Sequence, residues 1–442
     1  MLLEFKTKNF KTFADESTFS MIPAPKIRDM KYSVLKQSIA NKEYKALSSA
    51  VVYGPNAAGK TNIFSAMEVF KNIIISGNIK NENHIFNTPN ETVRRLELIP
   101  NAKNTSVTPV KFEIMFIEKN ILFEYRLELD IGEFLDREYS RKIISEKLLI
   151  NNKMIFDRGD TVKIGNISAI NDYLINDFNY TVSEKIARSN IDNNELFLAN
   201  MFKSVFSKEL VDIIVNWFEK KLMCIYQSNK ITVSISGINA KPKRLALINE
   251  TVAEATKHFG IHANDIVYIS SNEKSEAEPY SMIISENKYR AVPIESYESY
   301  GTERFLNIFP LILRALETGA TLVVDEFDAS IHPMAIMSII GAFHNDEINI
   351  NNAQLIFNTH NPIFLNKNLF RRDEIKFVER DDETGFSSHY SLSDFKTSGP
   401  HGVRNTDDYM KNYFINQYGS IRNIDFSEFL KNTIQKLSQG EV

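Results

Sequence analysis

One cysteine, Cys224, occurs in 442 residues. A disulfide within the chain is therefore excluded, and a reducing compartment is expected. Set between Met223 and Ile225, the thiol reads as a small buried hydrophobe. Charge of one sign is equally scarce. The net charge is −4, so nothing global marks a nucleic-acid binder. No apolar run approaches membrane-spanning length. The opening Met1-Leu2-Leu3-Glu4-Phe5-Lys6 has no charged-then-apolar leader pattern. A cytoplasmic protein with no membrane partner is the expectation. The 8 histidines show no paired ligand spacing, so no zinc site is predicted. Internal repeats and sustained heptads are also missing. Apolar residues are plentiful: 43% of the chain is hydrophobic, enough for a large core. The length suggests roughly two to three domains' worth of mass.

The most informative stretch is Val51-Val52-Tyr53-Gly54-Pro55-Asn56-Ala57-Ala58-Gly59-Lys60-Thr61-Asn62. It reads as a buried strand, a glycine-rich loop of the form GxxxxGK[ST], and a helix start, which is the Walker A phosphate loop. Unpaired N–H groups and the positive dipole end at a helix N-terminus attract phosphate. Gly54 and Gly59 let the backbone wrap phosphate oxygens. Lys60 is placed for the β- and γ-phosphates and Thr61 for Mg²⁺. Ile63, Phe64, Met67, Phe70 and Ile74 continue as a helical stripe.

Around this loop the chain is β-rich at first. Residues 2–20 suggest two strands around a turn at Lys8-Asn9, and residues 21–45 read as polar and irregular. Residues 78–108 read as a long loop. Strands are predicted over Val110–Ile117 and Leu122–Leu129, then over about 139–150 and 153–165 with Asn151-Asn152 as the turn. Helical spacing dominates 182–226, from Leu196 and Phe197 to Trp217, Phe218 and Leu222. Lys241-Pro242-Lys243-Arg244 reads as a solvated loop. Another helix is expected over 246–259, and strands near 265–270 and 280–293 are expected to return to the core. Four segments result: an N-terminal part carrying the phosphate loop over 1–180, a helical insert over 181–262, a C-terminal part over 263–395, and a helical tail over 396–442.

A second motif completes a nucleotide site. Thr321-Leu322-Val323-Val324-Asp325-Glu326 is an apolar strand delivering two acids at its C-terminal tip, the end where parallel α/β sheets bind ligands. Asp325 suits metal binding, and Glu326 suits orienting or deprotonating a water. One helix later, Gln354 to Thr359 reads as an adjacent strand that ends in His360, placing the imidazole near the γ-phosphate. No Ser-His-Asp or nuclease constellation stands out. Asp381-Asp382-Glu383 reads as a hairpin turn rather than a metal site.

These residues resemble an ABC-type ATPase head of the SMC/RecF/OLD group. Lys8-Asn9-Phe10-Lys11-Thr12-Phe13 resembles that group's opening motif, Gly54 to Asn62 its phosphate loop, and Asp325-Glu326-Phe327-Asp328-Ala329-Ser330-Ile331-His332-Pro333 its Walker B and D-loop run. His360 resembles the switch histidine. Ser299-Tyr300-Gly301 precedes an apolar helix where the signature motif is expected and keeps its Ser-x-Gly. The segment from Asn62 to Asp130 contains no glutamine, so the Q-loop residue finds no counterpart there.

The resemblance implies a P-loop α/β fold with a β-meander lobe and an inserted helical lobe. It implies ATP and Mg²⁺ as cofactors, with Thr61 and Asp325 at the metal. Further nucleotide contacts are implied from Lys11 and Asp328, and from Ser299 and Gly301 across a homodimer or higher homo-oligomer. Lys60, Glu326 and His360 are implied as catalytic. More narrowly, the layout resembles stand-alone ATPases of bacterial abortive-infection and anti-phage systems that act beside a separate toxin or nuclease effector. A DNA-repair or DNA-binding ATPase is the alternative.

Overall fold

The structure is a computed structural model. It describes residues 1–438 apart from 26, 28–29, 81–96, 104–107, 135, 137, 177, 190–191, 227–232, 235–243, 249–253, 256, 259–264, 272–275, 286–287, 398–401 and 422–424. Most of the expected loop over 78–108, and the basic cluster at 241–243, fall outside the described residues.

Strand formation begins with alternation. β1 (Leu2–Lys8) turns its apolar residues inward and pairs antiparallel with β2 (Ser17–Ser20). The connection is a loop over 9–16, longer than the expected turn. Asn9 and Lys11 take positive φ in it. A second hairpin, β3 (Val34–Ile39) with β4 (Lys42–Leu47), replaces the irregular stretch expected over 21–45. Its alternation is hidden by lysines on the outer face. Leu35, Ile39 and Ala46 pack on Met1, Leu3, Ile117 and Leu122.

β5 (Ser49–Tyr53) is buried along its whole length and runs into the phosphate loop, then into α1 (Lys60–Ser76). Next come β6 (Val110–Glu118), β7 (Ile121–Asp130), β8 (Lys142–Ile150), β9 (Lys153–Arg158) and β10 (Val162–Ile164). The single strand expected over 153–165 is thus two. The order β10-β9-β8-β7-β6-β1-β2 makes a seven-stranded antiparallel sheet. Its inner aromatics close on α1: Phe70 lies 5.4 Å from Phe112 and 6.0 Å from Tyr125 between ring centroids.

The helical stretch follows as α2 (Tyr180–Ser189) and α3 (Lys208–Asn216), with π-turns at Leu198–Phe202 and Trp217–Lys221. Phe197, Phe202, Leu210 and Trp217 share the core of α1 and the antiparallel sheet. The segment expected to be a helical insert over 181–262 is then split. β11 (Leu222–Ile225) leaves the helices and enters the central sheet. Leu222 is buried and Met223, Cys224 and Ile225 are half-buried, so β11 shows no alternation to separate it from a helix. Residues expected to open a helix at 246 belong to β13 (Arg244–Ile248). With β12 (Val233–Ser234), β14 (Asp265–Ser271), β15 (Glu276–Ser285) and β16 (Lys288–Pro293) it forms a separate antiparallel sheet, not a return to the core.

α4 (Tyr300–Thr318), β17 (Thr321–Val324), α5 (Pro333–His344), β18 (Gln354–Asn358), β19 (Ile375–Arg380) and β20 (Ser387–Ser391) complete the head. The central sheet has the order β11-β17-β18-β5-β19-β20, and only β20 is antiparallel to its neighbour. Alternate strand residues serve two cores. Val52, Val323, Ile356 and Val378 face the α1 side. Val51, Tyr53, Val324, Leu355 and Phe357 face α4 and α5. Among the described residues the tail holds two short helices, α6 (Tyr409–Phe414), anchored by buried Tyr409, and α7 (Ser427–Ser438), which buries none of its residues.

The β-lobe is locked to the helical stretch by one buried carboxylate. Glu146 accepts from Tyr125 Oη at 2.7 Å, from the backbone N–H groups of Phe197 and Leu198 at 2.7 and 2.8 Å, and from Arg158 Nη1 at 3.3 Å. Burial pushes its pKa up, while Arg158 and these donors pull it down. Glu146→Ala would leave Arg158 without its carboxylate, with only the Glu195 and Asp192 carbonyl oxygens as acceptors, and three further donors without theirs, so a loss of about 3–5 kcal/mol in unfolding free energy is expected. A urea midpoint unchanged from the native chain would show the lock to be unimportant.

Candidate nucleotide site

Parallel strands deliver their loops to one edge, and three neighbours do so here. β5 ends in Gly54, β17 in Asp325 and Glu326, and β18 in Thr359 and His360, with β18 lying between the other two. Close packing requires the loop glycines. A Cβ on Gly54 would sit 2.2 Å from the Val378 carbonyl oxygen. One on Gly59, whose φ is +111°, would sit 2.7 Å from Ser387 Oγ and 2.8 Å from Thr12 Oγ1. Gly59 precedes α1 with no side-chain cap, so the first helical N–H groups are left for an anion. Pro55, Asn56 and Ala57 form the outer loop, Ala57 at φ 61°, and Ala58 is buried.

Lys60 Nζ donates to the carbonyl oxygens of Gly54 at 2.7 Å and Pro55 at 3.0 Å. Burial lowers its pKa to about 8, against the pull of Asp325 and Glu326. Thr61 Oγ1 donates to Asp325 Oδ1 at 3.0 Å. A hydroxyl and a carboxylate side by side are the hard oxygen donors that Mg²⁺ takes, so the residues present fit the metal. Burial raises the Asp325 pKa, and hydrogen bonds from Asn358 and Thr61 oppose that. Burial and then Lys60 lower the His360 pKa, leaving the imidazole neutral near pH 7. Burial raises Asp328, countered by Thr359 and His360.

The remaining expected residues have definite places. Lys11 Nζ donates to Ser65 Oγ at 2.9 Å, on α1 one turn beyond Thr61. Asn62 Nδ2 donates to Thr12 Oγ1 at 2.9 Å, so its side chain ties the opening motif to the helix. Ser299 caps α4, accepting from the Thr302 N–H at 3.1 Å. Gly301 lies against the D-loop of its own chain, where a Cβ would meet the Ser330 carbonyl oxygen at 2.2 Å. The Asp381 carboxylate accepts from Thr384 N and Oγ1, both at 2.7 Å, within the β19–β20 turn.

Two residues are missing from the sequence-based set. Asn358, the last residue of β18, donates from Nδ2 to Asp325 Oδ1 and accepts from the Glu326 N–H. Arg304, buried on α4, donates to the carbonyl oxygen of Glu326 and, at 3.5 Å, to that of Asp325. Together they hold the turn in which Glu326 adopts a φ of 50°. A buried arginine in an apolar helix was the available signal. Arg304→Ala should let the turn relax. We expect kcat to fall about 10–100-fold while nucleotide affinity changes less than about threefold. Equal changes in kcat and Kd would point to general disruption instead.

No glutamine lies between Asn62 and Asp130. The strand beside Asp325 is β11, with Ile225 paired to Val324. Residue 227, the second after that strand, is a glutamine, outside the described residues. The fold also assembles a Ser-His-Glu cluster unseen in the sequence. Ser49 Oγ lies 2.8 Å from His344 Nε2 and 2.8 Å from Glu374 Oε1. Both partners meet the same imidazole nitrogen, with Glu374 at 3.2 Å, so the relay of a nucleophilic triad is not built. Ser49 also begins β5, at the end of the strand away from the phosphate loop.

Fold and site together define a P-loop ATPase. Residues 49–366 match the family model described as "AAA domain, putative AbiEii toxin, Type IV TA system". The chain belongs to this AAA family. Among solved structures, an SMC head domain from Thermotoga maritima shares 16% identity over 88% of this chain and 98% of its own, with a TM-score of 0.34. An SMC head bound to the C-winged helix domain of ScpA shares 14% identity over 88% and 97%, also at 0.34. Neither likeness is close enough to carry function across. No curated protein matches the chain. Among the described residues no helix is long and apolar enough to cross a membrane.

Proposed function

We propose that this chain is an ATP-driven, ABC-type switch, the sensor subunit of a bacterial anti-phage system that controls a separate toxin or nuclease. The supporting observation is the convergence of Lys60, Thr61, Asp325, Glu326 and His360 on adjacent strand ends. Lys60 and the α1 N-terminus bind the β- and γ-phosphates. Thr61 and Asp325 would hold Mg²⁺, which neutralises charge on the phosphate oxygens when bound. Glu326 orients and deprotonates the attacking water, and neutral His360 donates a hydrogen bond to the transferred phosphoryl group.

In this proposal Ser299 and Gly301 of a second copy cap the nucleotide, so ATP closes a cytoplasmic homodimer and hydrolysis opens it. The contact of Gly301 with Ser330 and that of Arg304 with Glu326 support such coupling, because each chain's signature-like helix rides on its own Walker B turn. The test is the solution mass of Glu326→Gln, co-expressed with its neighbouring reading frames, with and without ATP. A larger ATP-dependent species carrying a second polypeptide supports the sensor–effector assignment. A bare ATP-dependent dimer whose ATPase rises with DNA favours the DNA-binding alternative. Unchanged mass with ATP rejects the sandwich dimer.

A further inference from the structure

A second polar cavity lies between the segment that follows His360 and the C-terminal tail. It has a volume of about 220 Å³ and is lined by Lys367, Asn368, Arg371, Arg372, Asn405 and Tyr409, with Met30 and Phe370. Among the described residues that line it, none is acidic and three are cations.

The two arginines are fixed before any ligand arrives. Arg371 forks onto Asp373 at 2.9 and 2.8 Å. Arg372 Nη2 donates to the carbonyl oxygens of Phe395 at 2.8 Å and Leu392 at 3.3 Å. Arg372 is only 5% exposed, and its Nε is buried with no hydrogen-bond partner among the described residues. A buried guanidinium N–H without an acceptor is costly, and an acceptor-bearing occupant removes that cost. At the rim, Lys367 Nζ is held by the Thr406 carbonyl oxygen at 2.9 Å. The donors are held in place and cationic, which suits a tetrahedral oxyanion. The volume is below the ~300 Å³ at which pockets begin to hold drug-sized ligands, so a whole nucleotide is too large.

We propose that this cavity is a phosphate-type oxyanion site, separate from the phosphate loop, recognised through Arg372 and Lys367. The anion ties the segment after β18 to the segment before α6. It is either the free ion or the phosphorylated end of a larger molecule.

The experiment uses the full-length Lys60→Ala chain, in which the phosphate loop is silenced, so its outcome is independent of the ATPase proposal. Inorganic phosphate is titrated calorimetrically at constant ionic strength. Saturable binding is expected. Asn368→Asp places a carboxylate at the cavity mouth and should weaken binding at least about tenfold, and Lys367→Ala should weaken it severalfold. Asn368→Asp in the otherwise native chain should keep its ATP affinity, which controls for folding. A 5′-phosphorylated trinucleotide that binds better than its 5′-hydroxyl form supports the site and identifies a nucleic-acid end as the source. Binding of inorganic phosphate alone supports it with the free ion as ligand. No saturable phosphate binding, or binding indifferent to Asn368→Asp, overturns the proposal.

Discussion

Glu326→Gln is expected to keep ATP bound and to stop turnover. The substitution preserves size and one acceptor oxygen but removes the group that can take a proton. General-base catalysis contributes about 10²–10⁴-fold, so kcat should fall within that range. The turn itself should survive. It is held through backbone atoms, by Asn358 at the Glu326 N–H and by Arg304 at the Glu326 carbonyl oxygen, not through the carboxylate. A quench assay on nucleotide-loaded protein should find intact ATP in the variant and ADP in the native chain. Native-like phosphate release would remove Glu326 from the mechanism and leave the proton to another acceptor.

Lys60→Ala should weaken ATP binding by about 10²–10³-fold. The ammonium is the one side-chain charge placed within the phosphate loop, on the Gly54 and Pro55 carbonyl oxygens. A buried charged hydrogen-bonding partner of a phosphate is worth several kcal/mol when removed, or a loss of about 10²–10³-fold in affinity. The same lysine gives binding a pH dependence. Its pKa is lowered to about 8 by burial, and an incoming polyanion favours the charged form and raises it. Below pH 8 the lysine already carries its proton and binding takes up little. Above pH 8 the free protein has lost the proton and must regain it to bind. Affinity should therefore fall as pH rises past 8. Calorimetry in buffers of different ionisation enthalpy should report proton uptake at pH 9 and little at pH 7. Equal uptake at both values would show that Lys60 is not the titrating group.

How much of this was readable beforehand follows from distance along the chain. The phosphate loop is one strand end, one turn and one helix start, all within Ala50 to Asn62, so its glycines and its Lys-Thr pair identify it without help. Asp325-Glu326 and His360 are likewise strand tips, each legible from an apolar run followed by polar residues. The central hairpins announced themselves through alternation and through Asn151-Asn152. β3 and β4 did not, because lysines mask their apolar face. β11 did not, because four consecutive apolar residues after a helix carry no period of their own.

The sequence by itself therefore determined the class of chemistry, that of a P-loop ATPase. Tertiary structure alone decided which residues are neighbours. It set β18 between β5 and β17, bringing Asn358 to Asp325, and laid α4 across the Walker B turn, bringing Arg304 to Glu326. It also paired Leu222 with Thr321, which moves the strand beside Asp325 into a stretch that looked helical. The physical reason is that parallel neighbours cannot be joined by a tight turn. Their connections run through helices and whole lobes, so partners that touch across the sheet are remote in the chain, and no local pattern records which strand lies beside which.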